Sequence, residues 1–161
     1  MGGYFMSEQK IYYSWEKVSE MCKQIVHKLN EQNVKPDLII TPLRGGAIPA
    51  VQIAYLLEMR NIITVNAQRT EDDSVNAEFK DVELSNLPTN EQIANKTILI
   101  VDEILDTGET LSKLVEYLKA QNPKQLKLAV LCNSSHKEKS INADIVIDQT
   151  DKWVVFPWEV E

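Results

Sequence analysis

The chain has 161 residues, a formal net charge of −7 and two cysteines, with 43% hydrophobic and 25% charged residues. These totals fit one globular domain with a proper core and exclude a disordered or fibrous chain. They also exclude a helix that spans a bilayer, which needs ~18 to 20 consecutive apolar residues, and a disulfide framework.

The acidic balance speaks against nucleic acid as a partner, because such binding rests mainly on neutralising phosphates. No membrane partner is expected either. Small anions can bind only where local groups reverse the field. Cys22 and Cys132 read as buried thiols in a reducing compartment, so the expected location is the cytoplasm.

Residues 1–6 read as a disordered leader, and the rest as one domain. The stretch SWEKVSEMCKQIVHKLN is a predicted helix, capped by Ser14. Trp15, Val18, Met21, Cys22, Ile25, Val26 and Leu29 recur at helical spacing as its inward stripe. His27 lies beside the stripe and reads as a solvated side chain.

Asp37–Thr41 is a predicted strand, 42–46 a turn and 47–59 a helix that tolerates Pro49 in its first turn. Asn61–Val65 is a second strand. Strand, helix, strand is the unit of a parallel sheet. From Asn66 to Lys96 the pattern weakens into a long polar excursion, in which a short hairpin is one option. Loops of that length in compact domains are usually functional or mobile; a merely solvated excursion is the other option.

Order returns with a strand at 97–101 and a helix at 110–121, whose Leu111, Leu114, Val115 and Leu118 face inward. LKLAVLC and ADIVID are two further strands, separated by the polar loop NSSHKEKSIN. The tail TDKWVVFPWEVE is aromatic and acidic.

Five glycines occur, where average usage would give roughly 11. Outside the leader they are Gly45, Gly46 and Gly108, each in a turn between a predicted strand and a predicted helix. Such turns allow close backbone approach and offer helix N–H groups to an anion. In an open α/β sheet they lie where ligands bind. Neither a Walker A loop nor a dinucleotide fingerprint is present.

The backbone N–H groups and hydroxyls of the turn Asp106-Thr107-Gly108-Glu109-Thr110 can ring a phosphate. Asp102 and Glu103, just before it, can accept hydrogen bonds from two sugar hydroxyls or face a Mg²⁺ held by a diphosphate. The pattern points to a phosphorylated ribose.

The stretch ILIVDEILDTGETL resembles the phosphoribosyl diphosphate signature of the type I phosphoribosyltransferases, and TPLRGGAIPA resembles their diphosphate loop. TDKWVVFPWE is similar to the base-binding end of the 6-oxopurine branch. The resemblance covers most of residues 11–159 and is weak between 66 and 96. It implies an α/β fold: a central, mainly parallel sheet flanked by helices, a flexible loop over the site and a small C-terminal base-binding hood.

The activity it implies is Mg-dependent transfer of a phosphoribosyl group from phosphoribosyl diphosphate to a purine base. Thr107, Gly108, Glu109 and Thr110 would cradle the 5′-phosphate. Asp102 and Glu103 would hold the ribose hydroxyls, with Glu103 near the metal. Arg44 and Gly45 would bind the diphosphate, and Leu43–Arg44 is a candidate cis peptide. Asp106 would be the general acid or base at N7. Trp153 would stack on the purine and the Val154 backbone would contact its edge. A homodimer or homotetramer is also implied.

One departure stands out. The lysine that this branch uses at the purine O6 aligns with Ser134 or Ser135. Lys137 is the candidate to replace it, with His136 behind it; alternatively Lys137, Lys139 and His136 are solvated loop residues. Phe156 and Trp158 read as caps of the core edge or filler of a dimer interface. Two rivals are a regulator of the same fold that binds phosphoribosyl diphosphate or a nucleotide, and phosphoryl transfer through Asp102 with Asp106 as acid/base.

Overall fold

In the computed structural model, residues 9–69, 81–135 and 137–160 are described. The expected leader, the central part of the 66–96 loop and His136 lie outside them. The helix α1 (Trp15–Glu31) begins where Ser14 accepts a hydrogen bond from the Lys17 N–H, so the predicted cap is borne out. Its Val18, Met21, Cys22, Ile25 and Leu29 are buried. Trp15 is not: the first residue of the helix, it is 58% exposed and its ring lies tilted against that of Trp158. His27 is exposed and pairs with Glu31 one turn on.

Six strands form the main sheet in the order β4-β3-β2-β5-β6-β7. They are β2 (Leu38–Leu43), β3 (Ile62–Arg69), β4 (Val82–Ser85), β5 (Thr97–Leu105), β6 (Gln125–Ser134) and β7 (Ile145–Thr150). All neighbours are parallel except β3 and β4. Alternation at period two sorts the side chains to two cores. Ile39, Leu99, Val101, Ala129 and Leu131 pack with α1 and α2 (Ala47–Leu56). Leu38, Ile40, Ile98, Ile100, Leu128 and Val130 pack with Leu111, Leu114 and Leu118 of α4 (Glu109–Lys119).

The described parts of the weak region, 66–69 and 81–96, are more ordered than their composition implies. β3 runs on to Arg69 and β4 returns antiparallel to it, so the hairpin option holds for its two arms. The short helix α3 (Asn90–Ile93) follows, closed by a capping box between Thr89 and Gln92. Several boundaries move as well. β2 and β5 continue past their predicted ends, to Leu43 and Leu105, and α2 stops at Leu56.

A second, two-stranded sheet was not foreseen. β1 (Lys10–Tyr12) pairs in parallel with β8 (Trp153–Val155), placing Ile11 opposite Val154. The first strand of the chain therefore holds down the aromatic tail.

The chain enters α2 from β2 and returns to β3 on one side; it enters α4 from β5 and returns to β6 on the other. β2 and β5 are neighbours, so the order reverses between them. Ligands bind at that crevice in open α/β sheets, and the turns after β2 and β5 are the two glycine turns.

Candidate active site

Three cavities meet at the carboxyl ends of β2 and β5. The first, about 150 Å³, is formed by the turn Asp106 to Thr110. Gly108 there has φ of 84°, a conformation that side chains rarely adopt. This turn opens α4, so its N–H groups and the helix dipole favour an anion. Thr107, Glu109 and Thr110 all line it.

The second cavity, about 210 Å³, lies across the crevice. Arg44 and Gly45 line it from the turn after β2, and Asp102, Glu103 and Thr110 from the other side. The Leu43–Arg44 peptide is cis, as anticipated. Gly45 has a steric reason to be glycine: a Cβ there would fall 2.0 Å from the Glu103 carboxyl carbon. Gly46 is similarly tied, since its Cβ would meet Thr41 Oγ1 at 2.4 Å. Ala67 and Gln68 of β3 complete the wall, a contribution for which the sequence holds no local signal.

The third cavity, about 150 Å³, sits under the small sheet. Trp153, 55% exposed, and Val154 line it, with Lys137, Ser134 and Asp106 opposite. Lys137 Nζ lies 2.6 Å from Asp106 Oδ2. Lys137 is thus a lining residue of this cavity. Ser134, one of the two positions expected to align with the branch's lysine, is buried and also lines the cavity.

The cavities share walls. Asp102 and Thr110 belong to the first and second, Glu103 to the second and third, and Ile104 and Asp106 to the first and third. A ligand with two anionic ends and a ring would touch all three while crossing the Asp102–Asp106 segment.

Burial is the main reason that the Asp102 carboxyl is pushed up to about 8; the hydrogen bond from the Glu103 N–H acts the other way, and repulsion from the Glu103 carboxylate adds a smaller push upward. Burial likewise pushes Glu103 up to about 7, with Glu159 adding repulsion; the Trp158 hydrogen bond and the Arg44 charge act the other way. The oxygens of both carboxyls are the hard donors that Mg²⁺ takes, usually through one or two carboxylates and the phosphates of a substrate. Among the described residues no group of three or more His, Cys, Asp or Glu could hold a metal by itself.

Sequence reasoning undervalued Trp158. Its indole N–H donates to Glu103 Oε2 at 3.1 Å, while its ring stacks on Phe156 at 4.8 Å. Glu159 and Lys152 also reach the third cavity, and Glu159 Oε2 accepts from the Phe156 N–H at 2.7 Å. Only the chemistry of the tail, not its spacing, could have marked these residues.

A family model described as phosphoribosyl transferase domain matches residues 8–161. The chain belongs to this family. A xanthine-guanine phosphoribosyltransferase of Roseobacter denitrificans is 26% identical over 160 residues, covering 95% of this chain and 87% of the relative. Among solved structures, a purine phosphoribosyltransferase from Pyrococcus horikoshii aligns with a TM-score of 0.81 and 30% identity over 95% of both chains. A protein from Neisseria gonorrhoeae with bound ppGpp aligns with a TM-score of 0.82 and 26% identity, over 95% of this chain and 90% of that one. In this phosphoribosyltransferase a larger depression, about 680 Å³ beside Asp37, Asn61 and Lys96, lies at the opposite ends of the strands and carries no comparable chemistry.

Proposed function

We propose that the protein transfers the phosphoribosyl group of phosphoribosyl diphosphate to a 6-oxopurine, giving a nucleoside monophosphate and diphosphate, as in purine salvage. One observation carries this reading: three cavities, two at glycine turns and one aromatic, converge on Asp102–Asp106. A 5′-phosphate, a 1′-diphosphate and a purine are joined through one ribose in the same arrangement. The names of the relatives support the purine class.

Thr107 to Thr110 hold the 5′-phosphate by N–H groups and hydroxyls. Asp102 and Glu103 accept from the ribose hydroxyls. Arg44 and the Gly45 backbone hold the diphosphate, whose charge grows as the C1′–O bond breaks. The purine nitrogen forms the new bond to C1′, and Asp106 exchanges a proton at N7. Lys137, already drawn to Asp106, donates to O6. Trp153 stacks on the ring, and the Val154 backbone fixes its edge. A Mg²⁺ bound by Glu103 and the substrate would neutralise diphosphate charge.

The exposed strip Val51, Tyr55 and Leu56 on α2, with Tyr55 81% exposed, supports a homo-oligomer. Among the described residues no helix is long and apolar enough to cross a membrane, and the buried free thiols fit a cytoplasmic location.

The test is diphosphate release. Phosphoribosyl diphosphate, Mg²⁺ and a 6-oxopurine should yield diphosphate only when all three are present. The second reading, a nucleotide-binding regulator, has the gonococcal neighbour with ppGpp in its favour. Binding of phosphoribosyl diphosphate without release for any base would select it.

A further inference from the structure

Two residues of the loop between β6 and β7 take no part in the proposed chemistry, yet their donors end on backbone carbonyls of the site. Lys139 Nζ donates to the Asp106 carbonyl at 2.8 Å, to the Lys137 carbonyl at 3.2 Å and to the Ser134 carbonyl. Ser140 donates twice to the Thr107 carbonyl, from its N–H at 2.9 Å and from its hydroxyl at 3.2 Å. The Ser140 hydroxyl also meets Ser112 Oγ of α4 at 2.7 Å. A Cβ on Gly108 would come 2.9 Å from Ile141 and 3.2 Å from Ser140. Residues 139–141 are thus laid against residues 106–108.

Peptide planarity gives this a consequence. In a trans peptide the C=O and N–H point to opposite sides, and the only cis peptide among the described residues is Leu43–Arg44. An Asp106 carbonyl drawn to Lys139 turns the Thr107 N–H away from Lys139. A Thr107 carbonyl drawn to Ser140 turns the Gly108 N–H the same way. The 150 Å³ cavity of the turn is lined by Thr107 and Gly108 and by none of residues 139–141, so it lies on that other side.

We infer that Lys139 and Ser140 are positioning residues: Lys139 aims the Thr107 N–H and Ser140 the Gly108 N–H at the 5′-phosphate, and Lys139 ties the phosphate turn to the base cavity. The tie runs through the same ammonium, since Ser134 and Lys137 both line the base cavity. The inference rests on the reaction proposed above. It gives Lys139 a role that neither solvation nor base contact supplies. A ligand that orders one cavity then pre-orders the other, and the coupling is reciprocal.

The experiment compares wild type, Lys139→Met and Lys139→Arg in steady-state kinetics with phosphoribosyl diphosphate and the best 6-oxopurine. Methionine keeps an unbranched apolar stem and loses the donors. It should raise both KM values about tenfold or more, with kcat within about threefold because the lost binding is uniform. Arginine should restore most of both. Unchanged KM values in Lys139→Met, or a rise confined to the base, would overturn the inference. Absence of turnover in wild type would instead overturn the underlying reaction. If Lys139→Met fails to fold, Ser140→Ala decides: it removes the hydroxyl, with its contacts to the Thr107 carbonyl and Ser112, keeps the N–H bond, and should raise the phosphoribosyl diphosphate KM severalfold while sparing that of the base. No change there would overturn the inference.

Discussion

The Trp158 indole N–H donates to Glu103 Oε2 at 3.1 Å, so a residue of the C-terminal tail holds a carboxylate of β5. The contact is half-buried and charge-assisted, the stronger kind of hydrogen bond. It continues through Phe156, stacked on Trp158, to the buried Tyr13, which meets Phe156 edge-on at 5.6 Å and donates to Asp148. Trp158→Phe keeps the stack and loses the donor. We expect a destabilisation of about 1 to 2 kcal/mol and a several-fold rise in the KM for phosphoribosyl diphosphate. Denaturant unfolding and initial rates measure the two effects separately.

Gly45→Ala tests how tightly the two turns approach. The new Cβ would lie 2.0 Å from the Glu103 carboxyl carbon. The carboxylate is the end of a flexible side chain, so it will swing aside and the fold will survive. Misplaced catalytic groups lose rates on the order of a hundredfold. Activity should collapse while the melting temperature moves by only a few degrees.

Stability of the ligand-free protein should fall as pH rises. The Asp102 carboxyl is raised from 3.8 to about 8 and the Glu103 carboxyl from 4.5 to about 7, mainly by burial. A raised acid binds its proton more tightly when folded, so its contribution is complete below the unfolded value and lost through the folded one. Melting temperatures should decline between about pH 5 and 8, and Asp102→Asn should flatten that decline. A flat wild-type profile would contradict the burial of this pair.

Lys137 and Asp106 divide the base chemistry. Lys137→Ala should raise the KM for the base about tenfold, the effect of one charged hydrogen bond, and leave that for phosphoribosyl diphosphate near its wild-type value. Asp106→Asn should lower kcat by roughly 10² to 10⁴, the usual weight of a general acid or base. Separate KM determinations for both substrates distinguish the two roles.

What the sequence made legible is local. Ser14 announces α1, Gly45 and Gly108 announce the two turns, and the short apolar runs of β2, β5 and β6 announce buried strands. Each signal spans a few residues and follows from backbone freedom or periodicity. The pairing of β1 with β8 joins residues more than 140 positions apart, and short edge strands carry no pattern that names their partner. Trp158 and Lys139 were illegible for a related reason. An indole N–H or an ammonium takes its meaning from the acceptor it reaches, and Glu103 and the Asp106 carbonyl are brought there only by the fold. The hairpin arms of β3 and β4 were obscured by polar side chains, because an edge of the sheet is solvated on one side.

The most direct measurement is product identity. Wild-type protein, Mg²⁺ and phosphoribosyl diphosphate are incubated separately with guanine, xanthine, hypoxanthine and adenine, and the nucleoside monophosphate in each is quantified beside an Asp106→Asn control. The account predicts turnover with at least one 6-oxopurine, far less with adenine, and loss of turnover in the control. Turnover with adenine alone would contradict the 6-oxopurine assignment and the role given to Lys137.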